Sequence, residues 1–156
     1  MSTSQDVVEV RLDPIDAGNW RDVADVEVAP EQRAFVAEPS RYLALCAYDG
    51  LWTPLAIRAG DEVVGMLMWA VDPAEGAVWL GAILVDRRWQ RRGIGRRAVR
   101  AAIELLSRQE ETLDFALSYE PENEVARRTY AKLGFVETGE MEDDEVVARL
   151  RLDGWA

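Results

Sequence analysis

Histidine does not occur in this 156-residue chain, and cysteine occurs once. The first absence excludes a Ser-His-Asp or Cys-His relay, a His-ligated zinc and any imidazole acid or base. Proton transfer must then run through carboxylate, phenol, thiol, amine or water. The second absence excludes an internal disulfide and a Cys-rich metal site, and it fits a reducing, cytoplasmic compartment. Cys46 lies in the apolar stretch Tyr42-Leu-Ala-Leu-Cys-Ala-Tyr48 with no basic neighbour, so it reads as a structural thiol and not a nucleophile. Long apolar runs are missing too. The longest uncharged stretch, residues 76–85, is ten residues, against the roughly 20 a membrane helix needs. The amino-terminal MSTSQDVVEV has neither the basic nor the apolar region of a signal peptide. The expectation is a soluble protein with no membrane partner.

Hydrophobic residues make up 49% and charged residues 30%, a balance that excludes a disordered or fibrous chain and suits one folded domain over residues 1–156. Net charge is −11, but it is unevenly placed. Arg87, Arg88, Arg91, Arg92, Arg96, Arg97 and Arg100 follow one another with no acidic residue among them, so this stretch carries +7 and leaves −18 for the rest. A nucleic-acid binder would spread positive charge over a groove-sized face, and an acidic body would repel phosphate backbone. The island therefore reads as a local site for a small polyanion, the glycines within it weighing against a merely solvated helix face.

Apolar periodicity predicts a first strand at residues 7–12, stopped by Asp13-Pro14, then helices at 19–28, capped by Asn19, and 30–37, opened by Pro30. A short third segment, capped by Ser40, ends near Gly50. Strands at 53–59 and 62–71 flank the hairpin signal Gly60-Asp61, and residues 77–85 form an apolar strand buried on both faces. Val99, Ala102, Ile103 and Leu106 mark an amphipathic helix over 95–108. A strand at 113–118, a helix from Asn123 to its stop at Gly134, and strands at 135–140 and 145–152 complete the chain. The fold class is α/β, mixed α+β: a central mixed sheet of about seven strands with an antiparallel half and one parallel β-α-β crossover, flanked by helices.

The chemistry lies where the buried strand ends. In Gln90-Arg91-Arg92-Gly93-Ile94-Gly95-Arg96 two glycines open a helix, so backbone N–H groups can converge on one anion while the helix dipole and the arginines add positive potential. No Gly-Lys-Ser/Thr follows, which excludes a P-loop, and the third glycine of a dinucleotide fingerprint is missing.

This loop resembles the Gln/Arg-x-x-Gly-x-Gly/Ala pyrophosphate loop of the GCN5-related N-acetyltransferases (GNAT). The stretch Asn123-Glu-Val-Ala126-Arg-Arg-Thr-Tyr130-Ala-Lys-Leu-Gly134-Phe135 is similar to that family's second signature, Asn-x-x-Ala-x-x-x-Tyr followed by Gly-Phe. The resemblance implies a GNAT fold, acetyl-CoA as donor and an amine as acceptor, with no metal. By the same analogy, Ile83, Leu84 and Val85 would hold the pantetheine arm and polarise the thioester carbonyl through backbone groups. The loop Gln90, Arg91, Arg92, Gly93, Ile94, Gly95 and Arg96 would hold the pyrophosphate, Asn123 would contact the pantetheine, and Tyr130 would lie beside the sulfur as general acid.

The peptide-modifying branch of the family often carries a glutamate five residues before the motif asparagine; here that position is Ser118. Glu27, Glu31 or Glu120, or a chain of waters, is left to take the proton, with Glu27 and Glu31 favoured as base or substrate-binding residues because the family's first helices wall the acceptor pocket. The −18 remainder suits a cationic small-molecule amine. Residues 19–32 and Trp79-Leu80 look like a branch that includes spermine/spermidine acetyltransferases, which makes a polyamine the first candidate. Aminoglycosides, amino acids and peptide amino termini are alternatives, as is a non-catalytic acyl-CoA sensor or a small nucleotide- or phosphate-binding protein. Trp20 and Trp89 are the tryptophans expected near a pocket, the others mostly in the core. The final strand, 145–152, could pair across a homodimer as in many relatives, although nothing in its pattern demands it.

Overall fold

A computed structural model describes residues 8–153. Seven strands form one sheet in the order β1-β2-β3-β4-β5-β7-β6, with β1 Val10–Pro14, β2 Thr53–Ala59, β3 Glu62–Val71, β4 Val78–Val85, β5 Asp114–Tyr119, β6 Val136–Glu142 and β7 Glu145–Arg151. Every neighbouring pair is antiparallel except β4 and β5, which are parallel and joined by the crossover helix α3, Ile94–Gln109. The mixed sheet with one crossover agrees with the expectation from sequence. β4 is apolar throughout because it is central and covered on both faces.

The two faces carry separate cores. Ala98, Val99, Ala102, Ile103 and Leu106 of α3 pack on one face with Leu67, Val78, Leu80, Phe115 and Leu117, joined by Ala126, Tyr130 and Leu133 of α4, Glu124–Leu133. On the other face α1, Trp20–Ala24, and the start of α2, Pro39–Asp49, cover Ala56, Met66 and Leu84 with Val23, Val26, Tyr42 and Leu43. Strand alternation thus assigns Leu80 and Leu117 to the α3 face, and Trp79 and Ser118 to the α1–α2 face.

The amino-terminal third departs most from expectation. The strand placed at 7–12 begins at Val10 and continues through Asp13-Pro14; Val7 lies outside the described residues. Proline is tolerated because β1 is an edge strand. Asn19 stands at the amino end of α1 but does not cap it: its side chain accepts from Asp16 N–H at 2.9 Å and donates to the Pro14 carbonyl at 2.9 Å, tying the helix to β1. α1 ends at Ala24, so Val26 can reach the core and the Glu27 N–H can reach Asp86. The helix expected at 30–37 is a single 3₁₀ turn, Pro30–Gln32. Pro39, not the cap Ser40, opens α2 from its first position, with Gly50 closing it at φ 74°.

Candidate active site

β4 and β5 pair at only two positions, Val78↔Phe115 and Trp79↔Ala116, and then diverge. On the other side of β4, Met68 faces Gly81 and Met66 faces Leu84, so three steps of β4 oppose two of β3. This is a β-bulge, with Ala82 at φ 46°. It turns the backbone of Ala82 and Ile83 out of the β3 ladder at the point where β5 has already moved away. Gly65 makes this possible: a Cβ there would lie 2.1 Å from the Leu84 carbonyl oxygen.

The divergence opens a cleft of about 480 Å³. Tyr130, Ala126 and Asn123 of α4 line it beside residues of the α3-side core, and Tyr42, Met68 and Trp79 line it from the α1–α2 side. The cleft therefore passes through the sheet between β4 and β5. Its wall contains Asp72, Glu120, Glu142 and Glu145 but no lysine or arginine, together with Phe35, Trp52 and Trp79. Ser118 donates its hydroxyl proton to Glu145 Oε1 at 2.7 Å within this space.

The arginine-rich loop starts where β4 ends. Asp86, 5% exposed, accepts from the N–H groups of Glu27 and Arg88 and from the Arg88 side chain. Burial pushes its carboxyl pKa up, but these donors outweigh it and hold the pKa below the usual value. Arg91 at φ 64° and Gly93 at φ 72° bend the chain into a concavity. Gly93 is the amino-terminal cap of α3 and supplies no side chain to its first N–H groups. Arg97 braces the loop by donating to the carbonyls of Val8, Arg92 and Gly93. Gln90 fastens it from the other side, reaching the Val85 carbonyl at 3.0 Å and Gln32 Oε1 at 2.7 Å. Arg92 stacks on Trp89 at 4.7 Å, and Trp89 donates to Glu62. Arg91, Arg92 and Arg96 are exposed.

The cradle fits a pyrophosphate on one further observation. A Cβ built on Gly95 finds its nearest atom, Val85 Cγ2, at 3.7 Å, so the protein itself leaves space for a methyl group. Gly95→Ala should leave thermal stability unchanged, or raise it by roughly 0.5–1 kcal/mol through helix propensity. Coenzyme A affinity should stay within about threefold, since alanine also satisfies the Gly/Ala position of the loop pattern, whereas Gly95→Leu should weaken it by tenfold or more, about 1.4 kcal/mol of lost close approach. Isothermal titration alongside thermal melts reads both; equal affinity in Gly95→Leu would show that the space at Gly95 is not used by the ligand.

Tyr130 stands with Tyr119 at 5.9 Å and Phe135 at 6.2 Å between ring centroids. Its phenol is pushed above the ordinary value of 10.0, first by burial and then by Tyr119. Tyr119 is raised to about 12 by burial and by its hydrogen bond to Glu137, which occupies its hydroxyl. The Tyr130 hydroxyl makes no hydrogen bond with the other described residues and is not sealed from solvent. Of this pair, then, only Tyr130 has a free hydroxyl in the cleft. Asn123, which lines the cleft, caps α4 by accepting from the Ala126 N–H at 3.2 Å, and its amide N–H₂ has no partner among the described residues.

Ile83, Asn123 and Tyr130 meet in the cleft, while Gln90 to Arg96 gather where β4 leads out of it; Leu84 and Val85 are not part of the cleft wall, Leu84 being buried in the α1–α2-side core and the Val85 carbonyl accepting from Gln90. Glu27 and Glu31 are not part of the cleft wall. Glu27 is exposed and sits 3.6 Å from Arg87, because the chain after α1 is drawn to Asp86; Glu31 is exposed on the 3₁₀ turn. Glu120 does line the cleft. The tryptophans also differ from expectation. Trp20 is exposed, Trp89 braces the loop, and Trp52 and Trp79 line the cleft because β4 opens there; Trp155 lies outside the described residues. The bulge and the cleft carboxylates Asp72, Glu142 and Glu145 had no signal of their own, except that Gly65 interrupts an apolar strand, which marks close backbone approach.

A sheet split beside a crossover helix, with an anion cradle at its lip and a free phenol within, defines a coenzyme-dependent group transferase. The chain matches the acetyltransferase (GNAT) family over residues 12–135, and it belongs to that family. It is an N-acetyltransferase whose donor is acetyl-CoA. A spermine/spermidine N(1)-acetyltransferase of Bacillus subtilis (strain 168) is 23% identical over an alignment of 141 residues that covers 86% of this chain and 93% of that one. Among solved structures, an aminoglycoside acetyltransferase in complex with coenzyme A superposes with a TM-score of 0.74 at 18% identity, covering 92% of this chain and 95% of that one. A ribosomal L7/L12 alpha-N-protein acetyltransferase in complex with coenzyme A superposes at 0.71 and 15% identity, covering 92% and 94%. No helix among the described residues is long and apolar enough to cross a membrane.

Proposed function

We propose that this enzyme acetylates a primary amine of a small polycation, with a polyamine such as spermidine or spermine as the preferred acceptor. The observation that carries this reading is the cleft wall: four carboxylates and no basic side chain, beside Trp52 and Trp79. Carboxylates draw in and hold ammonium groups, and the Trp52 indole attracts cations while packing on a methylene chain; Trp79 already holds the Arg149 guanidinium 5.5 Å from its ring centroid. The polyamine acetyltransferases among the sequence relatives support the same class.

Acetyl-CoA supplies an acetyl thioester. The chain's own residues do the rest. The loop from Gln90 to Arg96 and the first turn of α3 offer backbone N–H groups and three exposed arginines to the diphosphate. The backbone of Ala82 and Ile83, freed by the bulge, is available to the pantetheine and the thioester carbonyl. Asn123 offers its amide N–H₂ group. Tyr130 is the acid, since its hydroxyl is free in the cleft and its phenol is protonated through the neutral range. The amine enters from the α1–α2 side, so both substrates share the cleft and transfer is direct.

The test is a panel of spermidine, spermine, an aminoglycoside, a short peptide and a neutral amino acid, with thiol release as readout. Polyamines should lead in kcat/KM by at least tenfold, about 1.4 kcal/mol. Their KM should rise with added salt as the cleft carboxylates are screened. A leading neutral acceptor would overturn the polycation reading, and coenzyme A binding without thiol release from any amine would favour a sensor.

A further inference from the structure

We propose that Glu145, oriented by Ser118, is the carboxylate that takes the proton from the acceptor ammonium. The inference rests on the acetyl transfer to a cationic amine proposed above and names the base that reaction needs.

Strand register brings the two residues together. Ser118 of β5 pairs with Val147 of β7, so Glu145, two residues earlier on β7, shares its face and lies diagonally across the ladder, within reach of a long side chain. That face is the α1–α2 side, because Leu117, Tyr119, Val146 and Ala148 all point into the α3-side core. Both residues line the cleft, and the Ser118 hydroxyl donates to Glu145 Oε1 at 2.7 Å. One carboxylate oxygen is thereby fixed and the other is available. Glu145 makes no ion pair among the described residues, unlike Glu75 and Glu140, which are engaged by Arg149. Tyr130 stands on the opposite, α3-side wall of the same cleft. Base and acid thus flank the split between β4 and β5 from its two sides.

The protons balance. The ammonium gives one proton to the Glu145 carboxylate, which becomes a carboxylic acid and releases it to the open cleft. The neutral nitrogen bonds to the acetyl carbon and the carbon–sulfur bond breaks. Sulfur leaves with the Tyr130 proton, and the phenolate is restored by the second proton lost from nitrogen. The net products are amide, thiol and one proton.

Asp72 from the end of β3, Glu120 from the end of β5, Glu142 of β6, Tyr42 of α2 and Tyr119 of β5 share the cleft with Glu145, and Arg149 lies further along the same face of β7. The three other carboxylates hold positive charge nearby, but the Ser118 contact belongs to Glu145 alone.

The experiment compares Glu145→Gln with wild type, using spermidine as acceptor across pH 6 to about 10. Glutamine keeps the size and an oxygen for the Ser118 hydroxyl. At pH 7 kcat should fall by roughly 100-fold, as for loss of a general base. The deficit should shrink to less than about tenfold as pH approaches the amine's own pKa near 10.4, where the nucleophile arrives already neutral. Coenzyme A affinity and melting temperature should match wild type. Ser118→Ala should show a smaller loss with the same pH trend. A pH-independent deficit, a raised KM with kcat unchanged, or wild-type kinetics would each overturn the role of Glu145. A wild type that acetylates no amine would remove the proposed function and this inference together; an active wild type with an unaffected Glu145→Gln overturns the inference alone.

Discussion

Gly65→Ala should unfold more of this protein than its single methyl group suggests. The added Cβ would lie 2.1 Å from the Leu84 carbonyl oxygen and 3.2 Å from the Val85 Cα, both of them backbone atoms of the central strand. No rotamer change can relieve that contact, so β3 and β4 must separate along the stretch where Gly65 pairs with Val85 and Met66 with Leu84. The cost should be about 3 kcal/mol or more, the upper range for overpacking, which lowers the melting temperature by roughly 6–12 °C in a domain of this size. Activity should fall further than stability does, because the same displacement moves the bulge at Ala82 and Ile83. Melting curves of the variant, with Gly95→Ala as a control in open space, check this. Wild-type stability would mean that β4 does not approach β3 as closely as described.

Tyr130→Phe should have the opposite profile, with stability kept and turnover lost. The hydroxyl makes no hydrogen bond to the other described residues and faces an open cleft, so its removal should change stability by no more than about 0.5 kcal/mol. The ring contacts with Tyr119 and Phe135 remain. Without the proton for the leaving sulfur, kcat should fall by roughly 100-fold or more while the KM for acetyl-CoA stays within about threefold. Because the phenol's pKa is raised, not lowered, the wild-type rate should not decline through its ionisation below about pH 10. Rising pH should increase the rate until the amine is neutral. A Tyr130→Phe enzyme with normal kcat would leave the phenol as a packing residue only.

The parts of this molecule that were legible in sequence are those governed by short-range rules. β2 and β3 run over Thr53–Ala59 and Glu62–Val71, as their apolar runs and the Gly60-Asp61 signal indicate. The helical stop at Gly134, φ 104°, and the glycine at the head of α3, φ 72°, follow from backbone freedom that only glycine gives at low cost. What escaped was set by contacts distant in sequence. Asn19 looked like a cap but is drawn 5 residues back to the Pro14 carbonyl. α1 ends early because the Glu27 N–H finds Asp86, 59 residues away. The bulge depends on β3 pressing against β4, and no local pattern in Gly81-Ala82-Ile83 announces it. The same holds for the cleft carboxylates. Glu145 looks like an ordinary polar start to a strand until the register of β7 sets it beside Ser118. Ser118 had marked the absence of a carboxylate on β5; the fold supplies one from the neighbouring strand.

The proposed direct transfer rests on the cleft passing through the sheet, where a donor and an amine from opposite faces can meet with no covalent stopover on the protein. Cys46, the one thiol in the chain, is not part of the cleft wall, and burial raises its pKa, so it is not an activated nucleophile poised to carry an acetyl group. The direct test is initial-rate measurement of thiol release over a grid of acetyl-CoA and spermidine concentrations. Lines that intersect in double-reciprocal form, with thiol released only when both substrates are present, are the predicted result. Parallel lines, with acetyl label retained on the protein in the absence of amine, would contradict it.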